Sequence, residues 1–131
     1  WCKNWFHRSP GHAKLDKHSL HQQLGSALRM LAAGGAGLDD ETWQRFADAG
    51  LPIYQGYGLT EAGPVISSNR VPKPRLGSIG FPVGDLEWKV DEQKQLLVRS
   101  PGVMLGYWQD SVATQRVLSD GWLATRDAVQ V

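Results

Sequence analysis

The chain has 131 residues, 41% of them hydrophobic and 21% charged, with a formal net charge of +1. That suffices for one domain, or two small ones, with a real core, and the balance is that of an ordinary globular protein. Near-neutral charge argues against nucleic acid or a membrane surface as partner, no apolar run approaches the roughly 20 residues that span a bilayer, and a lone cysteine, Cys2, excludes an internal disulfide.

Charge is uneven along the chain. Residues 1–29 hold five Lys/Arg, one acidic residue (Asp16) and all four histidines. Such an end reads as a solvated face rather than a nucleic-acid surface. The opening "WCKNWFHRSP" has neither a signal peptide's apolar core nor an initiator methionine, so an excerpt of a longer protein is expected. A reducing compartment, the cytoplasm, is the default for a single cysteine.

Residues 1–29 read as helical pieces interrupted at "SPGH", with Leu20, Leu24 and Leu28 spaced along one face. "LRMLAA" (28–33) fits a buried strand ending at Gly34-Gly35. "LDDETWQRFADAG" follows as a helix capped by Asp39 or Asp40, with Trp43, Phe46 and Ala47 turned inward and Gly50 closing it. "LPIYQ" (51–55) reads as a second strand. Strand, glycine loop, helix and strand make a βαβ unit with parallel strands, in which ligands collect beyond the carboxyl ends. Both glycine-rich stretches, "GGAG" and "GYG", fall there.

After Pro64 the character changes. "VPKP" (71–74) reads as a linker, and the charged "RVPKPR" around it as a surface loop. The β-prone runs "GSIGFPVG", "LEWKV", "QLLVRS" and "VMLGYW" then predict an antiparallel sheet or small barrel. A helix over "SVATQRVL", capped by Asp110 or Ser111, interrupts it, and "WLATRDAVQV" predicts a last strand pair. The fold class is therefore α/β plus antiparallel β: a partial parallel-sheet subdomain over 1–68, then a small barrel-like subdomain over 69–131. Trp43, Trp88, Trp108 and Trp122 are expected in the core. His18 and His21 share a helix face, but with no third ligand at a recognisable spacing a solvated pair is the better reading.

The stretch "YQGYGLTEAGP" (54–64) raises the chemical question. Gly56 and Gly58 let the backbone approach a ligand, Tyr57 offers a flat π-face, Thr60 a hydroxyl for phosphate, and Glu61 a carboxylate for Mg²⁺. Ring, phosphate and metal in that order describe a nucleotide. A tight strand-to-loop connection with a packed tyrosine and a solvated glutamate accounts for the same residues.

"QGYGLTE" (55–61) resembles the adenine- and phosphate-binding signature of the acyl-adenylate-forming superfamily, which comprises acyl-CoA synthetases, beetle luciferases and peptide-synthetase adenylation domains. "AAGGAGL" (32–38) resembles its upstream glycine motif, with Gly37 where proline or an acidic residue is commoner. "GSIGFPV" (77–83), "LLVRSPGVMLGYW" (96–108) and "DGWLATRD" (120–127) resemble three further blocks. Lys94-Gln95 replaces a usual Gly-Glu pair, and Arg126 replaces a usual glycine. These five blocks, in order, cover residues 28–127.

The resemblance implies roles residue by residue. Gly35 and Ala36 line the adenine and acyl pocket. Gln55, Gly56 and Leu59 complete the binding stretch in which Tyr57 stacks on adenine. Gly58 leaves room for the acyl carbonyl, and Thr60 bonds the α-phosphate. Glu61 helps hold Mg²⁺, and Asp127 takes the ribose hydroxyls. It further implies carboxylate activation by ATP and capture by coenzyme A, a transfer run by positioning and charge stabilisation without a protein nucleophile.

A fatty-acid ligase is expected, with o-succinylbenzoate or aromatic-acid ligases as alternatives; a non-catalytic adenine-nucleotide-binding module is the alternative outside the enzymes. A phosphate loop and a lysine-bearing C-terminal domain are expected elsewhere in the same polypeptide, so no steady ATP turnover is expected of these residues alone. Association of the isolated chain and a membrane-peripheral location of the full enzyme are both compatible with this reading.

Overall fold

The computed structural model describes residues 15–130. Readings that rest on the opening "WCKNWFHRSP", on Cys2 and on the break at "SPGH" lie outside these residues. In chain order the elements are α1 (Lys17–Leu24), β1 (Leu31–Ala33), α2 (Asp40–Asp48), β2 (Ile53–Gly58), a single 3₁₀ turn (Thr60–Ala62), β3 (Val65–Ser68), β4 (Phe81–Pro82), β5 (Glu87–Val90), β6 (Gln95–Arg99), α3 (Ser111–Val117), β7 (Leu118–Ser119) and β8 (Trp122–Ala128).

Each helix starts where an aspartate satisfies free backbone donors. Asp16 accepts from Ser19 N, Asp39 from Thr42 N and Asp110 from Ala113 N, at 2.8–2.9 Å. The Thr42 hydrogen bonds hold the Asp39 carboxyl below the usual carboxylate range. The expected leucine stripe is realised at two of its three positions: Leu20 is buried and Leu28 packs against the same cluster, whereas Leu24, the last residue of α1, is exposed.

Two four-stranded sheets result. The first has the order β1-β2-β3-β4, with β1 and β2 parallel, Leu31 opposite Ile53, as the βαβ reading requires. The remaining pairs in it are antiparallel. Trp43 of α2 donates its indole N–H to Ile53 O at 3.0 Å and so anchors the crossover helix on β2. β4 comes from the "GSIGFPVG" run, expected in the later subdomain, yet it pairs with β3. The approach is close: a Cβ on Gly80 would lie 2.0 Å from Ser68 O, and Gly80 has φ +85°.

The second sheet has the order β5-β6-β8-β7 and is antiparallel throughout. It is open, not a barrel. Closure needs an unbroken ladder round the sheet, and here β5 and the two-residue β7 remain edges.

One core joins the sheets: Ile66 of the first and Ala62 of the 3₁₀ turn pack with Leu96, Val98, Val117 and Leu123 from the second and α3. Val98 and Leu123 are essentially fully buried, each contributing about 1.5–3 kcal/mol relative to exposure. A smaller cluster of Leu20, Ala49 and Leu51 sits under α1 and α2.

The tryptophan expectation needs correction. Trp43 and Trp122 are half-buried, but Trp88 is 44% and Trp108 89% exposed. Trp88 lies on the edge strand β5, and Trp108 is in the loop before α3, where strand alternation does not apply. Trp122 is held by cations instead of by a core, with Lys89 4.1 Å and Arg99 4.6 Å from its ring centre.

Candidate nucleotide-binding site

The site gathers at the carboxyl end of β2. Immediately past β1, Gly34, Gly35 and Ala36 form an exposed bend beside it, and a Cβ on Gly34 would stand 3.1 Å from Gly56 O. Asn69 clamps Gln55 on both sides: its side-chain oxygen accepts from Gln55 N at 3.0 Å, and its own N–H donates to Gln55 O at 2.8 Å. Gly56 has free space above it, since an added Cβ would meet only Ser67 O at an ordinary 3.6 Å.

Tyr57 and Asp127 meet. The Tyr57 hydroxyl donates to Asp127 Oδ2 at 2.5 Å, across 70 residues of sequence and from one sheet to the other. Each partner is aimed by a bulge. The β2–β3 register slips between Tyr57 and Gly58, and the β6–β8 register slips so that Gln95 faces Ala128 while Leu97 faces Ala124. Arg126 occupies the second irregularity with φ +66°, and Asp127 N donates to Thr125 Oγ1 at 3.2 Å. Thr125 is itself buried and donates to Leu96 O at 2.9 Å. A left-handed residue on a pinned threonine is what turns the Asp127 carboxylate towards Tyr57. Burial first, then the Asp127 contact, pushes the Tyr57 phenol up to about 12.

Gly58 also has a steric duty within the chain itself. A Cβ there would lie 1.8 Å from Pro64 O, so the missing side chain makes room for the chain's own backbone. Leu59 packs against the shared core. Thr60 and Glu61 begin the 3₁₀ turn; Thr60 is exposed and Glu61 half-buried. Glu61 has a partner that sequence reasoning missed: the Tyr107 hydroxyl donates to its Oε1 at 2.9 Å from 46 residues away. The available signal was Tyr107's place inside the "VMLGYW" block.

Among the described residues no cluster of three or more His, Cys, Asp or Glu could enclose a metal. His18 bonds Gln22, and His21 bonds Leu28 O, which leaves them outside any site. Glu61 with one oxygen uncommitted, beside the Thr60 hydroxyl, offers hard oxygen donors. That set fits Mg²⁺, which keeps several waters and shares phosphate oxygens instead of filling an all-protein cage. The arrangement pairs Tyr57 with Asp127 across the two sheets, and Glu61 of the turn that follows β2 with Tyr107.

A family model described as "AMP-binding enzyme" matches residues 5–108. The chain is 34% identical over 119 residues to long-chain-fatty-acid–CoA ligase FadD15 of Mycobacterium bovis, covering 88% of this chain and 20% of the relative. It is 39% identical over 116 residues to a long-chain-fatty-acid–CoA ligase of Yersinia pestis, covering 78% and 20%. Among solved structures, the anthranilate CoA ligase AuaEII in complex with anthranoyl-AMP superposes with a TM-score of 0.71 at 31% identity, over 77% of this chain and 22% of that one. The chain thus spans about a fifth of the length of the curated relatives it matches.

Proposed function

Since the chain belongs to the AMP-binding enzyme family, we propose that its residues form the adenosine-facing wall of the nucleotide pocket in an ATP-dependent acyl-CoA ligase. The Tyr57–Asp127 contact carries this reading. A ring able to stack on adenine and a carboxylate able to accept two ribose hydroxyls stand together, as one nucleoside requires.

In this reading Tyr57 stacks on the base and the free oxygen of Asp127 takes the ribose. Gly35, Ala36, Gln55, Gly56 and Leu59 frame the base through their backbone. Thr60 bonds the α-phosphate, and Glu61 would hold Mg²⁺, which would offset phosphate charge when bound. The substrate carboxylate attacks the α-phosphorus, the α–β bond breaks and pyrophosphate leaves. The sulfur of coenzyme A then attacks the acyl carbon, and AMP departs. The protein's share is alignment and charge stabilisation.

The names of the sequence relatives favour a fatty acid as substrate. An aromatic acid is the second reading, favoured by the match to an anthranilate ligase. No helix of the described residues is long and apolar enough to cross a membrane; work in the cytoplasm is part of the proposal.

Titration of AMP into the chain, followed by calorimetry, tests this. Tyr57→Ala is expected to weaken binding about tenfold or more, as loss of a base-stacking ring does. No AMP uptake by the wild-type chain, or unchanged affinity in both Tyr57→Ala and Asp127→Ala, would refute the proposal.

A further inference from the structure

Tyr107 lies outside every residue assigned above, yet it makes the only hydrogen bond to the Glu61 carboxylate among the described residues. Its loop is held without the phenol. Tyr107 N donates to Thr114 Oγ1 at 2.9 Å, and that hydroxyl donates to Asp110 O at 2.8 Å. Asp110 in turn caps α3. Gly106 permits this approach, since a Cβ there would stand 2.9 Å from the Thr114 methyl.

Glu61 is pinned as well, its carbonyl accepting from Met104 N at 2.8 Å. Backbone positions on both sides are thus set by other bonds, and the phenol hydroxyl is free to act on the carboxylate alone.

We infer that Tyr107 is a positioning residue for metal binding: by occupying Glu61 Oε1 from the loop before α3, it fixes the direction in which Oε2 meets the cation. The inference rests on the reading of Glu61 as a Mg²⁺ ligand. Mg²⁺ demands near-octahedral geometry at short range, so a carboxylate free to swing about its last torsions binds it less well than one already aimed. Tyr107→Phe keeps the ring and deletes only the aiming contact.

The test uses the 131-residue chain with ATP, and Mn²⁺ as a paramagnetic probe whose free signal disappears on binding. Wild type, Tyr107→Phe, Glu61→Gln and the double variant are titrated, each also with AMP in chelator. Tyr107→Phe is expected to weaken Mn²⁺ uptake about tenfold, the low end for one hydrogen bond to a charged group because this one is exposed, and to leave metal-free AMP affinity unchanged. The double variant should match Glu61→Gln alone, because Tyr107 acts only through that carboxylate.

Equal Mn²⁺ binding in wild type and Tyr107→Phe overturns the inference. So does an additive double variant, a parallel fall in AMP affinity, or a Tyr107→Phe chain that no longer folds, since the hydroxyl would then be supporting the fold. If the wild-type chain takes up neither AMP nor Mn²⁺, the ligase reading itself falls. AMP uptake with no Tyr107 effect removes this inference alone.

Discussion

Replacing Tyr57 by phenylalanine separates the two properties of that side chain, because the ring remains and the hydroxyl that reaches Asp127 is removed. A hydrogen bond to a charged acceptor contributes about 1.5–3 kcal/mol when well shielded. Tyr57 is only half-buried and Asp127 exposed, so about 1 kcal/mol is expected here. For a chain of this size that lowers the melting temperature by about 4 °C. The loss also has a pH signature. The folded chain holds the Tyr57 proton more tightly than the unfolded chain, whose phenol titrates at its ordinary 10.0, because burial and the nearby carboxylate push the folded value to about 12. The stability this pair adds is therefore complete below pH 10 and is lost as pH rises through 12. Urea unfolding of wild type and variant at pH 7, 10 and 11.5 reads the difference, which should hold between the first two and shrink at the third. A variant as stable as wild type at pH 7, or a gap that widens towards pH 12, would refute the assignment of the hydroxyl to Asp127.

Other positions give sharp outcomes. Gly58→Ala would drive a methyl to within 1.8 Å of Pro64 O, with only backbone atoms of Pro64 and Val65 as its nearest neighbours, so a loss of at least about 3 kcal/mol is expected in urea unfolding; near-native stability would show that the 58–64 connection yields freely. Arg126→Gly relieves a left-handed residue at φ +66° and should raise stability by about 1 kcal/mol, seen as a higher urea midpoint at unchanged slope. A lower midpoint would mean that the guanidinium side chain itself stabilises the bulge. Pyrophosphate release by the chain alone is expected to show no steady turnover, and sustained release would contradict the assignment of these residues to one wall of a larger site.

Two departures from the family pattern gain a common physical meaning from the backbone. Lys94 and Arg126 stand where the resemblance expects glycine, and both have positive φ, +62° and +66°. Glycine is the residue that adopts this region without strain, so the turns survive while the chain tolerates a steric cost at each. Asp127 keeps its direction because the bulge, the left-handed backbone at 126 and the pinned Thr125 set it, whichever side chain stands at 126.

What the amino-acid sequence determined by itself was local. Asp39 and Asp110 announce their helices because a cap is a side chain reaching a backbone N–H three residues away. The parallel β1–β2 unit follows because a short strand, a glycine bend and an amphipathic helix leave the next strand little choice of side or direction. The five motif blocks pointed to a nucleotide through their resemblance to the acyl-adenylate-forming superfamily, which is carried by short local stretches such as "QGYGLTE" and "DGWLATRD".

What only the tertiary structure decided is how those blocks meet. Tyr57 reaching Asp127, Tyr107 reaching Glu61 and Gly58 yielding to Pro64 depend on register slips and on the core shared by Ile66, Val98 and Leu123. The placement of β4 and the exposure of Trp88 and Trp108 belong here too, since an edge or a loop is defined by what lies alongside it. A contact across 70 residues is set by the packing of two sheets, and no window of sequence contains both surfaces.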